Sequence, residues 1–185
     1  MCSSDLDGVN ENPDWSPDDA YIYFDRSVVG QPMMIARRRA DGAGGVEPVI
    51  ADSFQNANPT LSPDGSLLVY TSFRDGTGWD LYGYRVESGE TYPIAVAESA
   101  QSDAVVSPDG RYIAYRSTGE PNSSVLVVAT DGTGEVEVTD YGAFPVWSPD
   151  GQYLYYRRAD LEVYRVPVST DPVFRMTGGE EMVYR

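Results

Sequence analysis

The chain has 185 residues, with 29 acidic side chains and 13 basic ones, all of them arginine, which gives a net charge of −16 at pH 7. This negative excess argues against binding to nucleic acid, because phosphate backbones require a positive surface. The sequence contains no histidine and no lysine, which excludes a Ser-His-Asp triad, a histidine metal site, a Schiff-base lysine and a P-loop lysine within these residues. Cys2 is the one cysteine, so no disulfide framework and no thiolate metal cluster is expected. The sequence predicts no cofactor.

The first residues are unlike the rest of the chain. Residues 1–11 are expected to form a disordered or artefactual tail, because residues 2–6 match the translation of a common sequencing adapter. They lack the basic start and apolar middle of a signal peptide, and the apolar runs near the termini are far too short for a membrane span. If the tail is read-through at a broken end, upstream segments of the parent protein are missing here.

A four-residue turn occurs four times and organises the chain. Proline in the second position presets φ for a type I turn, serine and aspartate accept hydrogen bonds from nearby N–H groups, and glycine in the fourth position takes a left-handed conformation. Each copy is predicted to be the tip of a β-hairpin. The first copy ends in Asp19, and aspartate also tolerates positive φ. The four copies are Ser16-Pro17-Asp18-Asp19, Ser62-Pro63-Asp64-Gly65, Ser107-Pro108-Asp109-Gly110 and Ser148-Pro149-Asp150-Gly151.

The spacing of these turns predicts a propeller. Successive turn serines are 46, 45 and 41 residues apart, which is typical of blades with four short strands. Blade one (12–53) is predicted to have strands at 12–15, 21–25, 33–39 and 46–51, and blade two (54–98) at 59–61, 67–71, 79–86 and 91–96. Blade three (99–140) is predicted to have strands at 104–106, 112–116, 125–130 and 135–139, and blade four (141–185) at 145–147, 153–157, 161–168 and 181–184.

The second strand of each blade is apolar on both faces. In blade one, Tyr21 and Tyr23 point one way and Ile22 and Phe24 the other. A sheet with one face in water would alternate apolar and polar residues. Two apolar faces on a small antiparallel sheet indicate blades that are stacked radially, each between two neighbours. The fold class predicted is therefore all-β, a propeller of four-stranded antiparallel blades.

These motifs resemble a known family. The pattern Pro-x-Trp-Ser-Pro-Asp-Gly, followed by a Tyr-Leu-x-Tyr-type strand and then a Leu-Tyr or Val-Tyr strand, is similar to the WD-like repeats of TolB-type β-propellers. The resemblance covers about residues 12–185, and the last blade is also similar to propellers attached to bacterial serine/threonine kinases. Asp19 in place of glycine and Ala-Val-Val at 104–106 in place of Pro-x-Trp depart from the pattern. Because closed propellers of this family usually have six or more blades, the resemblance implies a partial ring whose remaining blades belong to the parent protein.

Three sets of residues are considered as a functional site. The turn aspartates are expected to be structural, because turn chemistry already explains them, and the Gly-rich loop at 74–80 lacks the ligand pattern of a calcium-binding EF-hand loop. Propellers bind ligands at the mouth of the central channel, where the inner strands begin. The inner-strand residues predicted to lie there are Asn12, Asn58, Asp103 and Phe144.

The resemblance implies a non-catalytic module for protein-protein interaction or ligand sensing, in a periplasmic or otherwise extracytoplasmic setting. A protein or peptide partner is expected, without nucleic acid and without membrane insertion of this segment. The alternative is the non-catalytic propeller of a prolyl-oligopeptidase-type or tricorn-type serine protease, which filters substrates for a hydrolase domain elsewhere in the chain. Fold does not decide between these readings.

Overall fold

Four antiparallel sheets follow one another along the chain and form the four blades of a partial β-propeller. The computed structural model of the protein describes residues 8–74, 76, 78–119, 121–158 and 161–184. Most of the predicted tail therefore lies outside the described residues, as does Arg185 at the end of blade four. The described part of the chain contains no helix with the length and apolar character needed to cross a membrane.

Each blade is a meander in which consecutive strands pair. Blade one contains β1 (Val9–Trp15), β2 (Tyr21–Ser27), β3 (Met34–Arg39) and β4 (Glu47–Ile50). Blade two contains β5 (Asn56–Leu61), β6 (Leu67–Ser72), β7 (Asp80–Arg85) and β8 (Glu90–Ala95). Blade three contains β9 (Ala100–Val106), β10 (Tyr112–Thr118), β11 (Ser123–Ala129) and β12 (Val136–Thr139). Blade four contains β13 (Ala143–Trp147), β14 (Tyr153–Arg157), β15 (Val163–Ser169), β16 (Arg175–Met176) and β17 (Glu181–Tyr184).

The inner strands begin earlier than the sequence predicts. β1 begins at Val9, β5 at Asn56 and β9 at Ala100, each three or four residues before the predicted start. The extra residues lie before a β-bulge, and proline follows the first bulge residue in three of the four blades. Proline lacks the N–H that a ladder needs, so the sequence marks that point as the beginning of a strand although the strand continues through a bulge.

Blade four also differs from its prediction. The connection between its third and last strands was expected to be a loop, but it contains the two-residue strand β16, which pairs with the end of β15. β17 then pairs with the first half of β15. The long connection is thus anchored to the sheet at its middle, which fixes the position of the segment that precedes β16.

Three hydrophobic clusters join the blades in pairs. Between blades one and two the cluster includes Ile35, Leu68 and Tyr70, and between blades two and three it includes Val69 and Ile113. Between blades three and four the core contains Tyr112, Ala114, Val125, Val127, Trp147, Leu154, Tyr156, Val166, Val168 and Phe174. Neighbouring residues of one strand thus enter different clusters, because side chains alternate between the two faces of a sheet.

The outward face of blade four is only partly covered. Leu154 and Tyr156 point into the cluster shared with blade three and are buried, whereas Tyr153 and Tyr155 lie on the other face of β14 and are half-buried. Within the described residues, no hydrophobic cluster joins blade four to blade one. The arrangement fits a partial propeller of four blades.

The packing between blades one and two yields a stability prediction. Leu68→Ala removes a fully buried side chain from that cluster, so the free energy of unfolding should fall by about 2–5 kcal/mol. Val29→Ala, at a fully exposed position, should change it by no more than about 0.5 kcal/mol. Urea denaturation followed by tryptophan fluorescence measures both, and equal losses for the two variants would contradict the assignment of Leu68 to the core.

Candidate functional site

The four turns share one hydrogen-bond pattern. The backbone N–H of the fourth residue donates to the serine carbonyl, as from Gly65 to Ser62 at 2.8 Å. The serine hydroxyl donates to the aspartate carboxylate at 2.6 Å in each copy, from Ser16 to Asp18, Ser62 to Asp64, Ser107 to Asp109 and Ser148 to Asp150. The same hydroxyl oxygen accepts the N–H of the first residue of the next strand, for example Leu67 at 3.0 Å.

The turns also contact one another from blade to blade. A Cβ atom on Gly65 would lie 3.5 Å from Cδ of Pro17, and one on Gly151 would lie 4.0 Å from Cδ of Pro108. Gly65 has φ of +71°, a left-handed conformation that glycine adopts without strain, and Asp19 adopts the same conformation in blade one with φ of 57°. No group of three or more acidic or cysteine side chains in the described part of the chain is arranged to hold a metal ion. These contacts support a structural role for the turn residues.

The four predicted channel-mouth residues occupy one repeated position, a β-bulge in the inner strand. Each has a positive φ: 49° at Asn12, 53° at Asn58, 54° at Asp103 and 54° at Phe144. In each blade this residue and the next one lie together opposite a single residue of the second strand, for example Tyr70 in blade two. Asparagine and aspartate adopt this conformation comparatively easily, whereas a bulky phenylalanine there is strained.

Each bulge residue contacts the residue 13 positions later, on the second strand of its own blade; we call these contacts the bulge pairs. The Asn12 side-chain amide donates to Asp25 at 2.9 Å, and the Asn58 amide donates to the Thr71 hydroxyl at 3.2 Å. In blade three the bulge pair is Asp103 with Arg116, and a carboxylate oxygen lies 3.7 Å from a guanidinium nitrogen. In blade four it is Phe144 with Arg157, whose guanidinium carbon lies 4.3 Å from the centroid of the phenyl ring.

Polar contacts between neighbouring blades connect the inner strands. The carboxylate of Asp25 accepts the N–H of Asn58 at 3.3 Å, and that of Asp14 accepts the N–H of Leu61 at 2.8 Å. Between blades three and four, the indole N–H of Trp147 donates to the carbonyl of Val105 at 3.2 Å. The bulge of blade two is therefore held by Asp25 of blade one as well as by Thr71 of its own blade.

An open cavity of about 420 Å³ is lined by the last residues of all four inner strands. Because one strand from every blade reaches it, this cavity lies on the propeller axis. Its walls include the exposed apolar side chains Trp15 and Val146, whose exposed fractions are 53% and 56%. Phe144, two residues before Val146 on β13, is 46% exposed. The cavity is lined by the ends of the inner strands, and none of the predicted channel-mouth residues or their bulge-pair partners is part of its lining.

The sequence analysis did not identify the second-strand member of each bulge pair or the apolar wall of the cavity. Asp25, Thr71, Arg116 and Arg157 lie at the same place in their second strands, and the constant separation of 13 residues is a signal that the alignment of blades already contained. The cavity wall carries no such signal, because it depends on how the blades are arranged around the axis. In the predicted non-binding loop at 74–80, Asp75 and Thr77 lie outside the described residues.

The fold, the repeated turns and the bulged inner strands define a β-propeller of WD-like repeats. The chain belongs to the family described as TolB beta propeller domain, whose model matches residues 2–177. Among solved structures, a putative TolB from Agrobacterium tumefaciens superposes with a TM-score of 0.76 at 24% identity, covering 94% of this chain and 65% of that one. TolB from Acinetobacter baumannii gives a TM-score of 0.72 at 25% identity, covering 95% of this chain and 44% of that one.

Three relatives match in sequence. An uncharacterised protein of Agrobacterium fabrum is 28% identical over 160 residues, which is 84% of this chain and 53% of that protein. An uncharacterised peptidase of Bacillus subtilis is 31% identical over 106 residues, or 52% of this chain and 16% of that protein. The Tol-Pal system protein TolB of Hamiltonella defensa is 28% identical over 111 residues, or 58% and 25%. The chain thus spans about half the length of the first relative and a quarter or less of the other two.

The turn hydrogen bonds lead to a pH-dependent stability prediction. The Ser62 hydroxyl, followed by the N–H and hydroxyl of Ser66, lowers the pKa of Asp64 below its usual value. A carboxyl whose pKa is lower in the folded state stabilises the fold at pH values above its unfolded pKa, about 3.9, and the stabilisation is lost as the pH falls through the folded pKa. Asp64→Asn should therefore lower the free energy of unfolding at pH 7, and the deficit should shrink as the pH falls below about 4.

Urea denaturation of both proteins between pH 7 and pH 2.5 measures this difference. Glu87→Gln, which neutralises an exposed carboxylate outside the turn, serves as the control for the general effect of charge removal. A deficit for Asp64→Asn that stays constant across the range would contradict the contribution of the ionised carboxylate.

Proposed function

We propose that this chain is a non-catalytic binding module that recognises a protein partner or ligand through the inner strands around its axial cavity. The observation that carries the proposal is Phe144. It occupies the bulge position at φ of 54°, where the equivalent residues are asparagine or aspartate, and its ring remains 46% exposed. A residue in such a conformation costs about 1–3 kcal/mol, which packing in the interior does not offset here because the ring is half in solvent.

Arg157 supports the same proposal. Its guanidinium lies over the Phe144 ring, and among the described residues no carboxylate is recorded within ion-pairing distance of it. A guanidinium stacked on an aromatic ring keeps its N–H groups free to bind carboxylates or carbonyl oxygens. Phe144 and Arg157 together therefore offer an apolar surface and hydrogen-bond donors, the combination that is enriched at the centres of protein interfaces.

The family resemblance supports an extracytoplasmic, periplasmic setting for this interaction, and we propose it on that ground. The relatives that the chain matches are longer than the aligned segments, so we also propose that further blades complete the ring in the parent protein. The half-buried tyrosines on the outward face of blade four would then pack against the next blade.

A second function is favoured by the peptidase relatives. Besides the Bacillus subtilis protein, a puromycin-hydrolysing peptidase of Mycobacterium tuberculosis superposes with a TM-score of 0.73 at 16% identity, covering 95% of this chain and 31% of that one. In this alternative the propeller admits peptides to a hydrolase domain. The chain itself contains no histidine, so a Ser-His-Asp triad would have to lie outside these residues.

Exchanging the bulge residues tests whether Phe144 is retained for binding. Phe144→Asn places a residue that tolerates positive φ in the bulge, as in blades one and two, and should raise the free energy of unfolding by about 1 kcal/mol. The reciprocal variant Asn58→Phe should lower it, because the strain and the loss of the Thr71 hydrogen bond act together. If Phe144→Asn is destabilising, Phe144 is a structural residue and the proposal loses its main support.

Site-specific photo-crosslinking tests the binding itself. A benzophenone amino acid at position 146, on the wall of the axial cavity, should give a discrete adduct in an extract of the source organism, and Arg157→Glu should abolish it. The same probe at position 29, which is fully exposed on the loop after β2, serves as the control. An adduct with a hydrolase domain would favour the peptidase alternative, and equal labelling from both positions would contradict binding at the cavity.

A further inference from the structure

Neighbouring blades enclose a cleft on the face of the molecule that carries the four turns. The first cleft, between blades one and two, has a volume of about 400 Å³, and the second, between blades two and three, about 640 Å³. In the third, between blades three and four, only about 220 Å³ is open. Each cleft is lined by turn residues of both blades, such as Asp64 and Gly110 in the second cleft. The three clefts are repeats of one another and differ in how much of each is filled.

The third cleft is filled by the chain itself. Phe174, from the long connection of blade four, is buried there, with its ring centroid 5.8 Å from that of Tyr112 and 6.1 Å from that of Trp147 in an edge-to-face arrangement. The N–H of Phe174 donates to the Tyr112 hydroxyl at 2.9 Å, and the Arg111 guanidinium donates to the carbonyl of Pro172 at 2.7 Å. One aromatic side chain and two backbone groups of this short segment, which bends at residues 171–173, are thus recognised.

The second cleft stays open because the connection between the third and last strands is shorter in blade three than in blade four. In blade four the filling segment lies between β15 and β17, which are separated by residues 170–180, whereas β11 and β12 of blade three are separated only by residues 130–135. The Asp131-Gly132 turn lies at the rim of the cleft without filling it. It packs on the outer strand of blade two, where a Cβ atom on Gly132 would lie 3.0 Å from the carbonyl oxygen of Ile94.

The walls of the second cleft carry an apolar floor, a guanidinium group and acidic side chains. Leu67, buried at the position equivalent to Tyr112, forms the apolar floor. The Tyr92 hydroxyl donates to the carbonyl of Thr130 at 2.9 Å and so joins the two blades. The Arg85 guanidinium lies over the Tyr92 ring at 4.7 Å, and its Nε lies 3.4 Å from the Glu90 carboxylate, which leaves its terminal nitrogens facing outward as donors. Acidic side chains at the rim, including Asp64 and Asp131, favour a basic group on whatever binds there.

We propose that the second cleft binds a short peptide segment of a partner protein that carries an aromatic side chain next to a basic residue. The aromatic ring packs on Leu67, and the Arg85 guanidinium donates to a peptide carbonyl, as Arg111 does in the third cleft. The chain's own Phe174-Arg175 pair shows the side-chain pattern expected of the partner. This site lies between blades, away from the inner strands, and its test does not depend on binding at the axial cavity.

A peptide with the sequence of residues 169–176 is the probe, and its binding to the purified chain is measured by titration calorimetry. Saturable one-to-one binding is expected, with affinity reduced about tenfold or more when alanine replaces the phenylalanine, because the buried ring supplies most of the apolar contact. Ser66→Trp, at the cleft, should abolish binding. Gln152→Trp, at the equivalent position of blade four, is the matched control and should leave binding unchanged.

A gain-of-function variant keeps the test informative. Ser66→Arg combined with Leu67→Tyr copies Arg111 and Tyr112 into the second cleft and should raise the affinity several-fold. Both changes are found in other blades: arginine or glutamine occupies the position of Ser66 in blades three and four, and tyrosine occupies the position of Leu67 in blades one, three and four. The proposal is overturned if neither the wild type nor this variant binds, or if Ser66→Trp leaves binding intact. It is also overturned if Arg111→Ser abolishes binding while Ser66→Trp does not, because the peptide would then displace the segment in the third cleft.

Discussion

The packing of each blade on its neighbours is the interaction on which the rest of the structure depends. All six residues of β6 are buried, because blades one and three cover its two faces, whereas the residues of β14 alternate between buried and partly exposed. Among the described residues the hydrophobic clusters lie between blades and not within a single blade. The turns, the bulge pairs and the clefts all take their positions from this stacking, as expected of a repeat architecture in which stability comes from nearest-neighbour interfaces.

The sequence predicts the features whose cause is local. The Ser-Pro-Asp-Gly turns and the two-faced second strands were readable because turn chemistry and side-chain alternation act within a few residues, and the family assignment and the all-β propeller class are confirmed. The starts of the inner strands were wrong, because Pro13 and Pro59 look like strand boundaries but lie in bulges. The burial of Phe174 could not be read, since its contacts with Tyr112 and Trp147 join segments far apart in sequence.

The repeat separates what the fold requires from what varies. The turn serine and aspartate are the same in all four blades, and their hydrogen bonds account for that without reference to a ligand. The bulge pairs occupy equally fixed positions but change from amide with carboxylate in blade one to phenyl with guanidinium in blade four. Packing constrains their backbone and leaves their side chains free to differ, and for that reason we propose that partner recognition depends on them.

Hydrogen exchange measured by mass spectrometry on the monomeric chain tests the central claim that each blade is stabilised by its neighbours. Amides of β6 and β10, in blades covered on both sides, should be the most protected, and those of β2 and β14, in the end blades, should exchange by more frequent local opening. Equal protection of all four second strands would contradict it, because it would mean that each blade is stable without a neighbour on both faces.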